Sequence, residues 1–467
     1  MVSDSVESSA IKKQPEAAAE AQLIPTLQEF GSRHPRRPHS INETGLSQQF
    51  LAELVAKHLY DGGVMSVSRL AQRCKLSGLV LQEILTFLRH ECRIEVRAGL
   101  DGRDRDLRYL LTDSGKAYAI DAFSKSGYVG PAPIPLELYR TIVQAQQVHD
   151  ATVTRQQIRE TFNDVIIDET LLNQLGPAMN AGRPMLIYGP PGTGKTYISR
   201  LLATLFSDSV LIPYALAVGD TVIEIFDPLL HRLLDDADND TLLMDRGHDA
   251  RLARCRRPTV ITGGELTLDM LDVYRNSTTR EYFAPLQLKA NNGIFIIDDL
   301  GRQRMNVESL FNRWIIPMQE HKDYLTLGAG RHFEVPFDVV LIFSTNVNPL
   351  ELADEAFLRR MGHKIRFPYL TQSTYGAIWR QECARLGIDF DESLLNYAVH
   401  QLHAQQRIPL LPCHPRDLLE LALDQSRFLG NGIQVDKAEL DWAWQSHFVQ
   451  LDGGQNFDSS AAVLDGE

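Results

Sequence analysis

From Ser47 the apolar residues Phe50, Leu51, Leu54, Val55 and Leu59 recur at helical spacing, a face closed by Asp61-Gly62-Gly63. Shorter helical patterns follow at Val67–Cys74 and Leu79–His90, joined by a turn at Leu76-Ser77-Gly78. Arg93–Arg97 and Arg108–Leu111 then read as two strands around the charged tip 101–106. Further on, unbroken apolar runs of strand length stand at Met185–Tyr188, Thr259–Thr262, Gly293–Ile297 and Leu341–Thr345. One hairpin is expected where Val210–Pro213 and Thr221–Phe226 flank Val218-Gly219-Asp220, and a second where Tyr324–Leu327 and His332–Val335 flank Gly328-Ala329-Gly330. Helical spacing is expected over Leu136–Val148 and Ile166–Gly182, and from Gly263-Gly264-Glu265 to about Tyr274. It returns over Tyr375–Leu386, Glu392–Gln405, Pro415–Phe428 and Lys437–Phe448.

The chemistry gathers behind the first apolar run. Gly189-Pro190-Pro191-Gly192-Thr193-Gly194-Lys195-Thr196 fits the phosphate-loop pattern at every fixed position, and a helix from Thr196 to Leu205 should follow it. In such a turn successive N–H groups and the helix start point at phosphate oxygens. Lys195 then neutralises phosphate charge, and Thr196 reaches a magnesium ion. The run Gly293–Ile297 ends in Asp298-Asp299, two carboxylates where a strand beside the loop would present them. Asp298 would orient magnesium-bound water, and Asp299 would polarise the attacking water.

Composition narrows the class without naming it. At 467 residues, 44 % hydrophobic and 23 % charged, the chain is globular material for two or three domains. Its apolar runs are far shorter than a membrane span, and the acidic start Met1-Val2-Ser3-Asp4 is unlike an export signal. Cys74, Cys92, Cys255, Cys383 and Cys413 are odd in number and scattered, which suits a reducing cytoplasm rather than a disulfide or zinc framework. Net charge is −13, a poor advertisement for nucleic-acid binding, although residues 46–125 taken alone carry +2.

Taken in order, these motifs resemble an AAA+ ATPase over residues 150–450. Leu341-Ile342-Phe343-Ser344-Thr345-Asn346 is similar to the sensor-1 strand, and Asn346 would hydrogen-bond the water or the γ-phosphate. Ala356-Phe357-Leu358-Arg359-Arg360 sits where the family places its arginine finger, with Arg360 preferred and Arg359 the alternative. His414-Pro415-Arg416-Asp417-Leu418 resembles sensor 2, with Arg416 reaching the phosphates from a helical lid. The family usually has Asp-Glu where this chain has Asp298-Asp299; the shorter side chain at 299 implies slow hydrolysis or a switch-like ATPase. The second hairpin resembles the branch with a pre-sensor-1 hairpin, to which MoxR-type chaperones and NtrC-type activators belong, but the activators' GAFTGA loop is absent.

The helix–helix–helix–strand–wing–strand order, with Tyr109-Leu110-Leu111-Thr112-Asp113-Ser114-Gly115-Lys116, resembles a winged helix-turn-helix domain. Such a module docks on protein or reads DNA. The thin charge of Gln82, Glu83, Arg89 and His90 favours protein. The expected organisation is α/β: a disordered arm over 1–45, a winged helix over 46–129 and a linker over 130–149. A P-loop parallel sheet between helices follows over 150–367, then the lid over 368–450 and an acidic tail over 451–467. The resemblance implies ATP and Mg2+, a homo-oligomeric ring that is commonly a hexamer, and action as a remodelling or assembly chaperone on a protein client. The alternative is a DNA-associated regulator under ATP control.

Overall fold

In the computed structural model, which describes residues 35–97, 107–234 and 248–448, the chain divides into two units. The wing tip 101–106, the acidic run 235–240, the first 34 residues of the arm and the tail from Gly453 lie outside the described residues. Unit 1 takes the chain to Thr152 with Phe206–Ile297 and Arg302–Leu341; unit 2 takes Val153–Leu205, Asp298–Gly301 and the chain from Ile342.

Unit 1 begins with the helices Gln48–Gly62, Val67–Cys74 and Gly78–His90. Each is capped by a serine, Ser47, Ser66 or Ser77, whose side chain accepts from the backbone N–H three residues on. Arg108–Leu111 pairs antiparallel with Ile94–Arg97 on one side and with Met65–Ser66 on the other, a two-residue strand too short to show a period. Leu51, Val55, Leu70, Leu81, Ile84 and Leu88 fill the core between them, joined by Ala215 and Val222 from further along the chain.

Those two residues belong to a hairpin that differs from the expected one. Ala215–Val218 pairs with Thr221–Glu224, whereas Ser209–Pro213 pairs with Leu252–Arg256. The turn Val218-Gly219-Asp220 was legible, but a strand partner about forty residues away was not. Ile134–Pro135 lies parallel to Leu216–Ala217 at the edge of the same sheet, with Ile134 fully buried. The helix expected after Glu265 is a single 3-10 turn at Leu268–Leu271. Asp272 draws the chain out of it, its Oδ1 accepting from Val273 N at 2.8 Å and Thr326 N at 3.0 Å. Thr326 lies on the second hairpin, where Lys322–Leu327 pairs with Arg331–Pro336 as expected. Thr259–Thr262 and Gly293–Ile297 run parallel in this unit, the latter wholly buried.

In unit 2 Met185–Tyr188 runs between two parallel neighbours, Ile342–Thr345 and His363–Arg366. The helices Glu169–Asn180 and Lys195–Leu202 bracket it in sequence. The C-terminal region is helical, with Gln372–Leu386, Cys413–Leu429 and Lys437–His447 packed around Tyr375, Trp379, Leu419 and Trp444. The helix expected over Glu392–Gln405 is interrupted by a π-helical turn at Ala398–His403. There the His403 ring lies 3.0 Å from Tyr375 Oη and 3.1 Å from the Ile408 carbonyl. No described helix is long and apolar enough to cross a membrane.

Two buried imidazoles make this helical region acid-sensitive. Burial holds the His403 imidazole at about 4, and burial with the neighbouring His403 and His447 rings holds His414 at about 4, against an ordinary value of 6.5. The folded form therefore takes up protons less readily than the unfolded chain. Stability is full above pH 6.5 and falls as the pH drops toward 4. Urea midpoints taken at pH 7.5, 6.0 and 5.0 should fall in that order, and a flat series would contradict neutral buried imidazoles.

Candidate functional site

The phosphate loop takes its shape from three glycines. Gly189 (φ +150°) lies so close to the chain that a Cβ there would stand 2.2 Å from the Phe367 carbonyl oxygen. Gly192 and Gly194 adopt φ of +77° and +84°, the left-handed region that side chains disfavour. Thr193 Oγ1 donates to the Pro190 carbonyl at 2.9 Å, closing the turn onto the helix that starts at Lys195. The N–H groups of a helix start are donors suited to an anion.

Lys195 is buried, and its ammonium points back into the loop. It donates to the Gly189 carbonyl at 2.9 Å, the Pro190 carbonyl at 2.7 Å and Asn346 Oδ1 at 2.5 Å. Asn346 Nδ2 in turn donates to Asp299 Oδ1 at 2.8 Å. Asp299 has φ +49°, and its N–H donates to Asp298 Oδ1 at 3.1 Å. Burial lowers the Lys195 pKa, and the negative charge of Asp299 and Asp298 works against that shift. Leu300 N donates to the Ser344 carbonyl at 2.8 Å and Thr345 Oγ1 to the Leu300 carbonyl at 2.7 Å. These two bonds fasten the end of the carboxylate segment to the strand that carries Asn346. Lys195, Asn346, Asp299 and Asp298 thus form one connected chain of polar contacts.

Thr196 is half-buried in the first helical turn. Its hydroxyl and the Asp298 carboxylate are the hard oxygen donors that magnesium takes. Among the described residues no group of three or more His, Cys, Asp or Glu is arranged to hold a metal. A magnesium ion would therefore rest on these two side chains together with nucleotide phosphates and water.

Two of the arginines are paired with acids close to them in sequence. Arg416 is paired with Asp417 at 2.9 Å and more than half exposed. Arg359 is 76 % exposed and paired with Glu355 at 2.8 Å, whereas Arg360 is half-buried. Sequence reasoning missed the segment just before Arg416. A Cβ on Gly192 would meet Leu411 Cδ1 at 3.1 Å and Cys413 Sγ at 3.2 Å, so the start of the helix Cys413–Leu429 lies against the phosphate loop. It also missed Gln381, whose Nε2 donates to the Asp164 carbonyl at 2.7 Å and ties the helical region to the segment ahead of the loop. No local pattern announces either contact, because the partners are more than two hundred residues apart in the chain.

The chain is 29 % identical over 184 residues to the peroxisomal ATPase PEX6 of Mus musculus, covering 36 % of this chain and 18 % of that protein. The Rattus norvegicus PEX6 is 30 % identical over 182 residues, covering 36 % and 17 %. The fold is a parallel sheet flanked by helices, which matches the P-loop core of the AAA+ type. It spans less than a fifth of the length of these curated relatives. Residues 371–446 match a family described as Domain of unknown function (DUF8689). Among solved structures, the Thermotoga maritima RuvB Holliday junction branch migration motor gives a TM-score of 0.36 at 13 % identity, covering 62 % of this chain and 73 % of that one. NtrX from Brucella abortus gives 0.38 at 14 % identity, covering 64 % and 59 %.

The glycine geometry is open to direct test. Gly189→Ala forces a Cβ onto backbone and should destabilise the chain by more than about 1 kcal/mol, read as a fall in the urea midpoint, while weakening ATP binding. An alanine variant with wild-type stability and affinity would show that the loop tolerates a side chain there.

Proposed function

We propose that this chain is an ATP-binding and ATP-hydrolysing AAA+ protein that assembles into a ring, commonly a hexamer in this family, and remodels or assembles a protein client. The observation that carries the reading is the contact chain Lys195–Asn346–Asp299, which joins the phosphate loop, the sensor position and the second carboxylate. In this mechanism the loop N–H groups and Lys195 bind the β- and γ-phosphates, and Arg416 closes on them from the lid. Thr196 and Asp298 hold magnesium, which supplies neutralisation of phosphate charge. Asp299 accepts a proton from a water placed by Asn346. That water's oxygen forms a bond to the γ-phosphorus, the bond to the β-phosphate oxygen breaks, and ADP leaves with the electron pair.

A finger from a neighbouring subunit completes the charge stabilisation. Arg360 holds the position nearest the strand His363–Arg366, while the greater exposure of Arg359 supports it as the alternative. The residues 46–129, read as a winged helix, would serve as the docking module for the client. Their exposed helix face, with Gln82, Glu83, Arg89 and His90, carries too little positive charge to favour the phosphate backbone of DNA. Cytoplasmic location belongs to the same reading, supported by five free cysteines.

Three substitutions separate binding from turnover. Lys195→Ala should abolish ATP binding measured by calorimetry. Asp299→Asn should keep binding and lose phosphate release, and an active Asp299→Asn enzyme would remove Asp299 from the proton-transfer role. Arg360→Ala should leave affinity unchanged and lower kcat by about a thousandfold or more. Unchanged kcat in that variant, with a loss in Arg359→Ala, would move the finger by one residue.

A further inference from the structure

We propose that Asn346 is an internal competitor for the phosphate-binding lysine, holding Lys195 until a nucleotide phosphate displaces it and so loosens its hold on Asp299. This deepens the ATPase reading of the same site and rests on it.

The argument begins with the number of protons on one ammonium. A lysine side chain has three N–H donors and no more, and Lys195 has three acceptors in reach: the Gly189 carbonyl, the Pro190 carbonyl and Asn346 Oδ1. A phosphate oxygen can gain a bond from Lys195 only by replacing one of them. The two carbonyls belong to the turn itself, fixed by the Thr193–Pro190 bond and by the close approach of Gly189 to Phe367. Neither can leave without reshaping the loop. Asn346 is different, because its amide sits on a rotatable side chain just past the strand Val339–Thr345. It is also a neutral acceptor, and a charged phosphate oxygen makes the stronger bond to an ammonium.

Displacement has a second effect, because the same amide holds Asp299. While Oδ1 is engaged by Lys195, Nδ2 is aimed at Asp299 Oδ1 at 2.8 Å. Once phosphate accepts that lysine N–H, the amide is free to turn and offer Nδ2 to phosphate or water. Asp299 then gives up that bond. Occupancy of the phosphate loop is thereby coupled to the hydrogen bonding of Asp299 through one side chain.

The test exploits a difference in sign. If Asn346 chiefly assists phosphate binding, its removal weakens nucleotide affinity. If it competes for Lys195, removal strengthens affinity while kcat falls, because the water loses its guide. Calorimetric titration of the full chain with magnesium and the non-hydrolysable analogue AMP-PNP should give a Kd about three- to tenfold tighter for Asn346→Ala, the effect of one net hydrogen bond. Asn346→Ser, a milder change whose hydroxyl is too short to span Lys195 and Asp299 together, should shift the same way and decides the matter if the alanine variant does not fold. Equal or weaker binding in the folded variants overturns the competitor role and leaves the ATPase reading standing. A wild-type chain that binds no nucleotide overturns both.

Discussion

An ammonium withdrawn from water must find other acceptors, and the Lys195 charge is the point around which the glycine loop and its neighbours are built. Burial lowers its pKa, while the negative charge of Asp299 and Asp298 works against that shift and two carbonyls and an amide oxygen accept its N–H groups in place of water. Supplying them requires a loop that turns its carbonyls inward, which needs glycine at 189, 192 and 194. It also requires a parallel strand beside Met185–Tyr188 that ends with an asparagine at the right height. Register follows from this demand: Thr345 lies opposite Tyr188, so the residues after both strands meet at the same edge.

The polar chain also explains the strained residue at its end. Asp299 adopts a left-handed backbone that costs about 1–3 kcal/mol for an ordinary residue. Its N–H bonds Asp298 and its carboxylate accepts from Asn346, so neighbouring contacts determine the conformation. Leu300 then rejoins the strand register through Ser344 and Thr345. Local strain of this kind turns the two adjacent carboxylates in different directions.

The helical C-terminal region is held by its own core, in which Trp379 and Trp444 are almost fully buried and the imidazoles of His403 and His414 lie stacked with ring centroids 5.2 Å apart. The match to the family described as Domain of unknown function (DUF8689) falls on this region, whose helices run from Gln372 to His447. Its first contact with the phosphate loop comes through Leu411 and Cys413 rather than through the arginine at 416, whose guanidinium is paired with the adjacent Asp417.

What the sequence determined by itself was whatever a short stretch can encode. The phosphate loop, the apolar strands at 185, 259, 293 and 339, the serine-capped helices and the hairpin turned at Gly328-Ala329-Gly330 are dictated by glycine freedom, side-chain period and caps. Tertiary structure alone decided which strand pairs with Ser209–Pro213, why the chain leaves helical geometry at Asp272, and how Lys195, Asn346 and Asp299 are joined by hydrogen bonds. The reason is common to all three. Each depends on a donor and an acceptor from separate stretches of chain, and composition and periodicity carry no record of which distant groups will satisfy one another once water is excluded.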